Sequence, residues 1–158
     1  MRLIPNEEDR ARIDKIQDYD CSWGAQGIGR FRVNILRQRS SFMIVMRVIP
    51  FEVPSFDKLK LPPVLKDVIM TKRGLVIFAG ATGSGKSTTL AAIVDYANRN
   101  RKDHIITIED PIEFVHESKN SLLNHREVGV HTKSFAAALR GALREDPDII
   151  LVGEMRDL

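Results

Sequence analysis

Cysteine occurs once in the 158 residues, at Cys21. One thiol excludes an internal disulfide framework and suits a reducing compartment; it reads as a small packing residue. Long apolar runs are also missing. None approaches the roughly 20 residues that cross a bilayer, so no direct membrane insertion is expected. The opening MRLIPNEEDR lacks the apolar stretch of a secretory signal, and a cytoplasmic location is expected. Aromatics make up only 6%, and no His/Cys cluster has metal-ligand spacing. There is no internal repeat or low-complexity segment. What is present, 43% hydrophobic and 28% charged residues, is the balance of a soluble globular protein. The length allows one domain with a sizeable core or two small ones.

The net charge of +3 is unevenly spread. Residues 1–73 carry fourteen Lys/Arg against nine Asp/Glu, and residues 74–158 carry ten against twelve. The excess concentrates in GRFRVNILRQRSSFMIVMR, which holds Arg30, Arg32, Arg37, Arg39 and Arg47 and no acid. Such a strip suits nucleic acid, a lipid surface or a nucleotide phosphate. It lacks the interleaved aromatics of a base-stacking platform, so no nucleic-acid partner is expected.

Patterning divides the chain. Residues 7–17 are mixed charged and apolar and predict a short helix. RFRVNIL (30–36) alternates, as a half-buried strand does, and SFMIVMRVI (41–49) is the next strand, joined to it at hairpin length. Pro50, Pro54, Pro62 and Pro63 punctuate a linker, and Pro63 can open a helix through VLKDVIM. From Gly74 onward the pattern is that of an open α/β sheet. LVIFA (75–79), HIITI (104–108) and IILVG (149–153) are wholly apolar runs, expected as parallel strands covered on both faces. Between them, Leu90, Ile93, Val94 and Ala97 mark one helix face. Phe135, Ala138, Leu139, Ala142 and Leu143 mark a second helix over 134–146, capped by Thr132 or Ser134 and limited by Pro147.

The stretch GATGSGKSTT carries Gly80-x-x-x-x-Gly85-Lys86-Ser87, the full phosphate-loop pattern, after an apolar strand and before a helix. Gly80, Gly83 and Gly85 let the backbone of Ala81, Thr82 and Ser84 turn its N–H groups inward around phosphate oxygens. The helix N-terminus adds partial positive charge. Lys86 supplies a point charge for the β/γ-phosphates, Ser87 a hydroxyl for Mg²⁺, and Thr88 lies next to the α-phosphate. Hydrolysis further needs a positioned water, usually held by a carboxylate. TIEDPIEF supplies Glu109, Asp110 and Glu113 just past the second strand, and Glu154 follows the third. Ligands sit at the carboxyl ends of strands in such sheets, so these acids face the nucleotide side.

GLVIFAGATGSGKSTTLAA, HIITIEDPIEFVHES and SFAAALRGALREDPDIILVGEMRDL closely resemble the type IV pilus retraction ATPases, the twitching-motility PilT family of secretion-type motors. The upstream GIGRFRVNILRQR, MRVIPF and LPPVLKD match the same family. The resemblance implies an α/β P-loop NTPase (RecA-like) core with an incomplete parallel sheet, preceded by part of a small α+β, PAS-like N-terminal domain. It implies residues 1–55 as the partial N-terminal domain, 56–73 as linker and short helix, and 74–158 as the ATPase core, ending after the Walker B strand. The chain is then a portion of a longer motor.

By the same resemblance, Glu113 is the catalytic glutamate that orients water, and Glu154 is the Walker B glutamate, reaching Mg²⁺ through water. Arg32 and Arg47 match the arginine fingers of the wider superfamily. The implied ligands are ATP and Mg²⁺. The implied partners are a homo-hexamer and the pilus platform proteins of the inner membrane, to which the motor would be peripheral. An assembly or secretion ATPase of the same superfamily, or a nucleotide-binding remnant without turnover, are the alternatives. Three positions depart from the family: Gly153 stands where an aspartate commonly precedes the glutamate, His125 where glutamine is common, and His131 where acid or polar residues are common. His125 is expected in a surface loop, and His104 and His116 are expected to be structural.

Overall fold

The computed structural model describes residues 4, 7–11, 13–15, 17–50 and 52–155. Positions 12 and 16 of the expected 7–17 helix lie outside the described residues, as do positions 1–3, 5, 6, 51 and 156–158 of the expected domains. The described part of 7–17 is a five-residue helix α1 (Glu7–Ala11) and a 3-10 turn (Ile13–Lys15).

Strands β1 (Asp18–Ala25), β2 (Gly29–Gln38) and β3 (Ser41–Ile49) form an antiparallel sheet in that order. The two strands expected from alternation are β2 and β3, and the hairpin between them closes on Arg39 and Ser40, with Arg39 at φ 54°. β1 carries no expectation above, although Tyr19, Cys21 and Trp23 alternate in it. These three lie opposite Ile35, Val33 and Phe31. Ile4, Cys21, Val33 and Ile35 form the buried cluster on this face, flanked by Tyr19, Trp23 and Phe31. Cys21 is thus a packing residue, and burial, with Asp20 and Glu127 nearby, pushes its thiol up to about 11. Period-2 geometry puts Asp20, Ser22, Arg30, Arg32 and Arg47 together on the other face.

The second sheet is parallel, in the order β5–β4–β6, from β4 (His104–Glu109), β5 (Leu122–Glu127) and β6 (Ile149–Val152). Helix α2 (Val64–Met70) begins after Pro63, as expected. Helix α3 (Lys86–Asn100) sends Val94 and Ala97 onto Ile105 and Leu123. Helix α4 (Phe135–Ala142) sends Ala138 and Ala142 onto Ile106 and Ile108 on the opposite face. β4 is central, so it is buried throughout except at His104.

Three expectations are corrected. LVIFA is not a strand: residues 75–79 join no ladder among the described residues, and Leu75, Val76 and Ile77 are exposed. Apolar content favours burial, but a strand also requires a hydrogen-bonding neighbour. IILVG yields β6, which is half-buried because it pairs with β4 on one side only. The second helix stops at Ala142, short of 146, and Leu139 within it and Leu143 just past it are exposed. Ser134 caps it by accepting from the Ala137 N–H at 3.1 Å, and Asp146 turns to φ 52° before Pro147.

Candidate nucleotide site

The glycine loop is built from backbone constraints that admit few side chains. Gly83 and Gly85 take φ of 80° and 90°, where an L side chain is strained. A Cβ at Gly80 would stand 2.7 Å from Ser84 Oγ. Ser84 N–H donates to Ala81 O at 3.2 Å, and Lys86 Nζ donates to Gly80 O and Ala81 O at 2.8 and 2.9 Å. The lysine therefore curls over its own loop, with its charge at the mouth. Gly85 caps α3 without a side-chain hydrogen bond, and the first turn, with Ser87 and Thr88, contains no acid. Unpaired N–H groups, the helix dipole and an uncompensated lysine favour an anion at this point.

At the far end of α3, Asn98 O accepts from Asn120 and Ser121 N–H at 2.9 and 3.2 Å, just ahead of β5. At 1.5 Å per residue α3 spans about 22 Å, and β4 at about 3.3 Å per residue spans about 20 Å. The start of the helix is thus level with the ends of the strands, where Glu109, Glu127 and Glu154 lie.

At that rim the carboxylates have different surroundings. Glu109 is buried. Its Oε2 accepts from the Glu113 N–H at 3.1 Å, and its Oε1 lies 3.7 Å from His125 Nδ1. Glu113 therefore has an anchored backbone and an exposed side chain. Gly153 N–H donates to Ile108 O at 2.8 Å, and a Cβ there would stand 3.1 Å from Glu109 Cγ. A side chain at 153 would press on Glu109, which would have to shift by a few tenths of an ångström to admit it. Half-buried Glu154 follows directly.

Arg32 and Arg47 are cross-strand neighbours on β2 and β3. Arg32 Nη2 meets Asp20 Oδ2 at 2.5 Å. That hydrogen bond holds the guanidinium further toward its charged form, against the cost of burial, and the charges of Glu113 and Asp110 add to it. Arg32 therefore stands within the field of the acid-rich loop, whereas Arg47 is exposed. Among the described residues no group of three or more His, Cys, Asp or Glu could hold a metal by itself. Ser87, in the first turn of α3, and half-buried Glu154 each carry an oxygen of the kind Mg²⁺ takes, an ion usually bound through few protein oxygens together with phosphates and water.

The sequence reading missed three participants. His125 is not in a surface loop: it lies on β5 beside Thr107, with Nδ1 2.7 Å from Thr107 Oγ1, and its Nε2 accepts from the His116 N–H at 3.0 Å. β5 is short and mixed, LLNHRE, so neither period stands out. Half-buried Arg30 and buried Glu127 form an ion pair at 2.6 Å that no local pattern announces. His116 and His104 are structural, as expected. His104 Nδ1 lies 3.1 Å from Glu145 O.

His116 gives a pH test. It is buried and stacked on His125, and its Nδ1 has no partner. Burial, then the neighbouring His125, pushes its pKa down to about 4 from 6.5, outweighing Asp95 and Glu109. Between those values the unfolded chain binds the proton and the folded chain does not. Stability is therefore full above pH 6.5 and falls as pH drops toward 4, by about 3 kcal/mol from this residue. Urea melts at pH 7 and 4.5 are expected to show this loss in the wild type and a smaller one in His116→Phe. Equal losses in the two proteins would contradict it.

A family profile described as "Type II/IV secretion system protein" matches residues 24–158. The chain is 53% identical over 155 residues to the "Type IV pilus retractation ATPase PilT" of Pseudomonas aeruginosa, covering 98% of this chain and 45% of that protein. It is 48% identical to the "Type IV pilus ATPase PilU" of the same organism, covering 97% and 40%. The chain thus spans less than half the length of these relatives. A crystal structure of the "Pilus Retraction Motor PilT and Bound ADP" superimposes with a TM-score of 0.92 at 52% identity, covering 98% of this chain and 45% of that one. On a profile match that runs from Gly24 through the glycine loop to the acids beyond β6, the chain belongs to the type II/IV secretion system protein family.

Proposed function

We propose that this chain is the nucleotide-binding portion of an ATPase that drives type IV pilus retraction. The observation that carries the reading is the glycine loop: a strained, acid-free helix start bearing Lys86, level with the acids at the strand ends. A relative of the same fold with bound ADP supports it. In this reading residues 74–158 are a RecA-like P-loop core and residues 1–55 part of a PAS-like domain, with 56–73 as linker. Backbone N–H groups from Gly80 to Thr88 cradle the phosphates, and Lys86 leaves the carbonyls of Gly80 and Ala81 to meet them. Ser87 and Glu154 hold Mg²⁺, which supplies charge neutralisation on the phosphates. Glu113 orients the attacking water. Arg32 and Arg47 neutralise charge developing on the γ-phosphate. The motor acts as a homo-hexamer on the cytoplasmic side of the inner membrane, peripheral to it, against the pilus platform proteins.

Calorimetric titration with Mg·ATP tests the reading. The wild-type chain is expected to bind weakly, with a dissociation constant above a micromolar, because the segment entering the loop, 75–79, joins no ladder that would preorganise it among the described residues. Lys86→Ala is expected to weaken binding by a further 10–100-fold or so, the loss of a charge-assisted contact. Equal affinities for the two proteins would overturn the assignment of the loop.

A further inference from the structure

Glu127 is the last residue of β5, and it is buried. Its carboxylate is divided between two parts of the molecule. Oε1 accepts from Ser22 Oγ at 2.6 Å and Oε2 from Arg30 Nη2 at 2.6 Å, and Arg30 also donates to Ser22 Oγ at 3.0 Å. Both partners belong to the polar face of the N-terminal sheet. Oε2 also accepts from the backbone N–H of Ile112 at 3.3 Å, inside the acid-rich loop and one residue before Glu113. The carboxylate has little freedom to move away. Glu127 N–H donates to His131 Nδ1 at 3.0 Å, and Glu127 O accepts from His131 N–H at 2.8 Å. A second anchor holds the same loop from the other side, Glu109 Oε2 on the Glu113 N–H.

From this geometry we infer that Glu127 is a positioning residue: it holds the acid-rich loop in place only while the N-terminal sheet is seated on it. A buried carboxylate that loses its cation is strongly destabilised and must recruit water or move. Either response withdraws the oxygen that Ile112 N–H uses. Departure of the sheet therefore loosens the backbone of Ile112 and Glu113, and its return tightens it. The coupling runs through a contiguous hydrogen-bonded path with a single shared group. Its meaning for catalysis rests on the ATPase reading above, since Glu113 is the proposed water-orienting group.

The test is amide hydrogen exchange by NMR on the 158-residue chain without nucleotide, which separates it from the question of ATP binding. Arg30→Met, on the sheet side, is expected to speed exchange at Ile112 and Glu113 about 10-fold or more, with Ile106 in central β4 unchanged. Ser22→Ala, which leaves no unpaired charge, is expected to give a smaller rise at the same two amides. Arg30→Lys keeps the cation and is expected to restore most of the protection. In ATP turnover, Arg30→Met is expected to lower kcat about 10-fold at unchanged KM, with recovery in Arg30→Lys. No change at Ile112 and Glu113 in Arg30→Met overturns the proposal. So does acceleration that includes Ile106 equally in both Arg30→Met and Ser22→Ala, because the contact is then merely part of global stability. Failure of the ATPase reading appears instead as equal nucleotide affinity in wild type and Lys86→Ala.

Discussion

Glu113→Gln is expected to cut ATP turnover about 10²–10³-fold while nucleotide binding changes little, the usual cost of removing one group that acts only in the transition state. The three acids of the loop are not equivalent. Glu109 is buried and committed to the Glu113 N–H, and it borders Gly153 so closely that a Cβ there would touch it. Asp110 is half-buried and precedes Pro111. Glu113 alone combines an exposed carboxylate with a backbone fixed from below. Its side chain bears no part of that anchor, so the amide variant keeps the loop in place and loses only the charge that polarises water. Steady-state ATPase rates with a parallel nucleotide titration check this. Turnover within threefold of wild type would move the role to Glu109 or Asp110.

The difference between these acids was not readable in TIEDPIEF. Spacing places three carboxylates at a strand end, but which of them is buried depends on β5, and β5 is where the sequence signal failed. LLNHRE has neither a clean period of two nor an apolar run, because its inward-facing positions are Leu123, His125 and Glu127, two of them polar. Their burial is made tolerable by partners distant in the chain: Thr107 and His116 for His125, Ser22 and Arg30 for Glu127. Elements whose signal is local were legible. β2 and β3 follow alternation, α3 follows the glycine loop, β4 follows its apolar run, and Ser134 caps α4 as its position suggests. The opposite error occurred at LVIFA, where the local signal was strong and the ladder it needs is absent among the described residues. The glycine loop was legible as a backbone feature because its signal lies in consecutive residues, with Gly83 and Gly85 at positive φ. The basic strip was legible as charge but not as orientation: its polar face is turned toward the rim of the parallel sheet through Arg30 and Glu127.

That orientation sharpens the last expectation, for Arg32 and Arg47. The two stand opposite each other across β2 and β3, on the face that also carries Arg30. Arg32 is held by Asp20, and the charges of Glu113 and Asp110 add to what keeps its guanidinium charged. Arginine suits a developing phosphate charge because its planar fork binds two oxygens at once, which an ammonium group cannot do. Arg32→Lys and Arg47→Lys are therefore each expected to slow ATP turnover, by about 10²-fold or more if they act as arginine fingers, whose loss costs around 10³–10⁵-fold. Circular dichroism should be unchanged, since the buried face of the sheet, Cys21, Val33 and Ile35, is untouched. Binding of DNA through its phosphates would behave differently: it would fall steeply with salt and survive a charge-preserving swap. Turnover and DNA retention measured side by side separate the two. Unchanged turnover in both variants, with salt-sensitive DNA retention, would assign the strip to nucleic acid, while slowed turnover without DNA retention assigns it to the nucleotide.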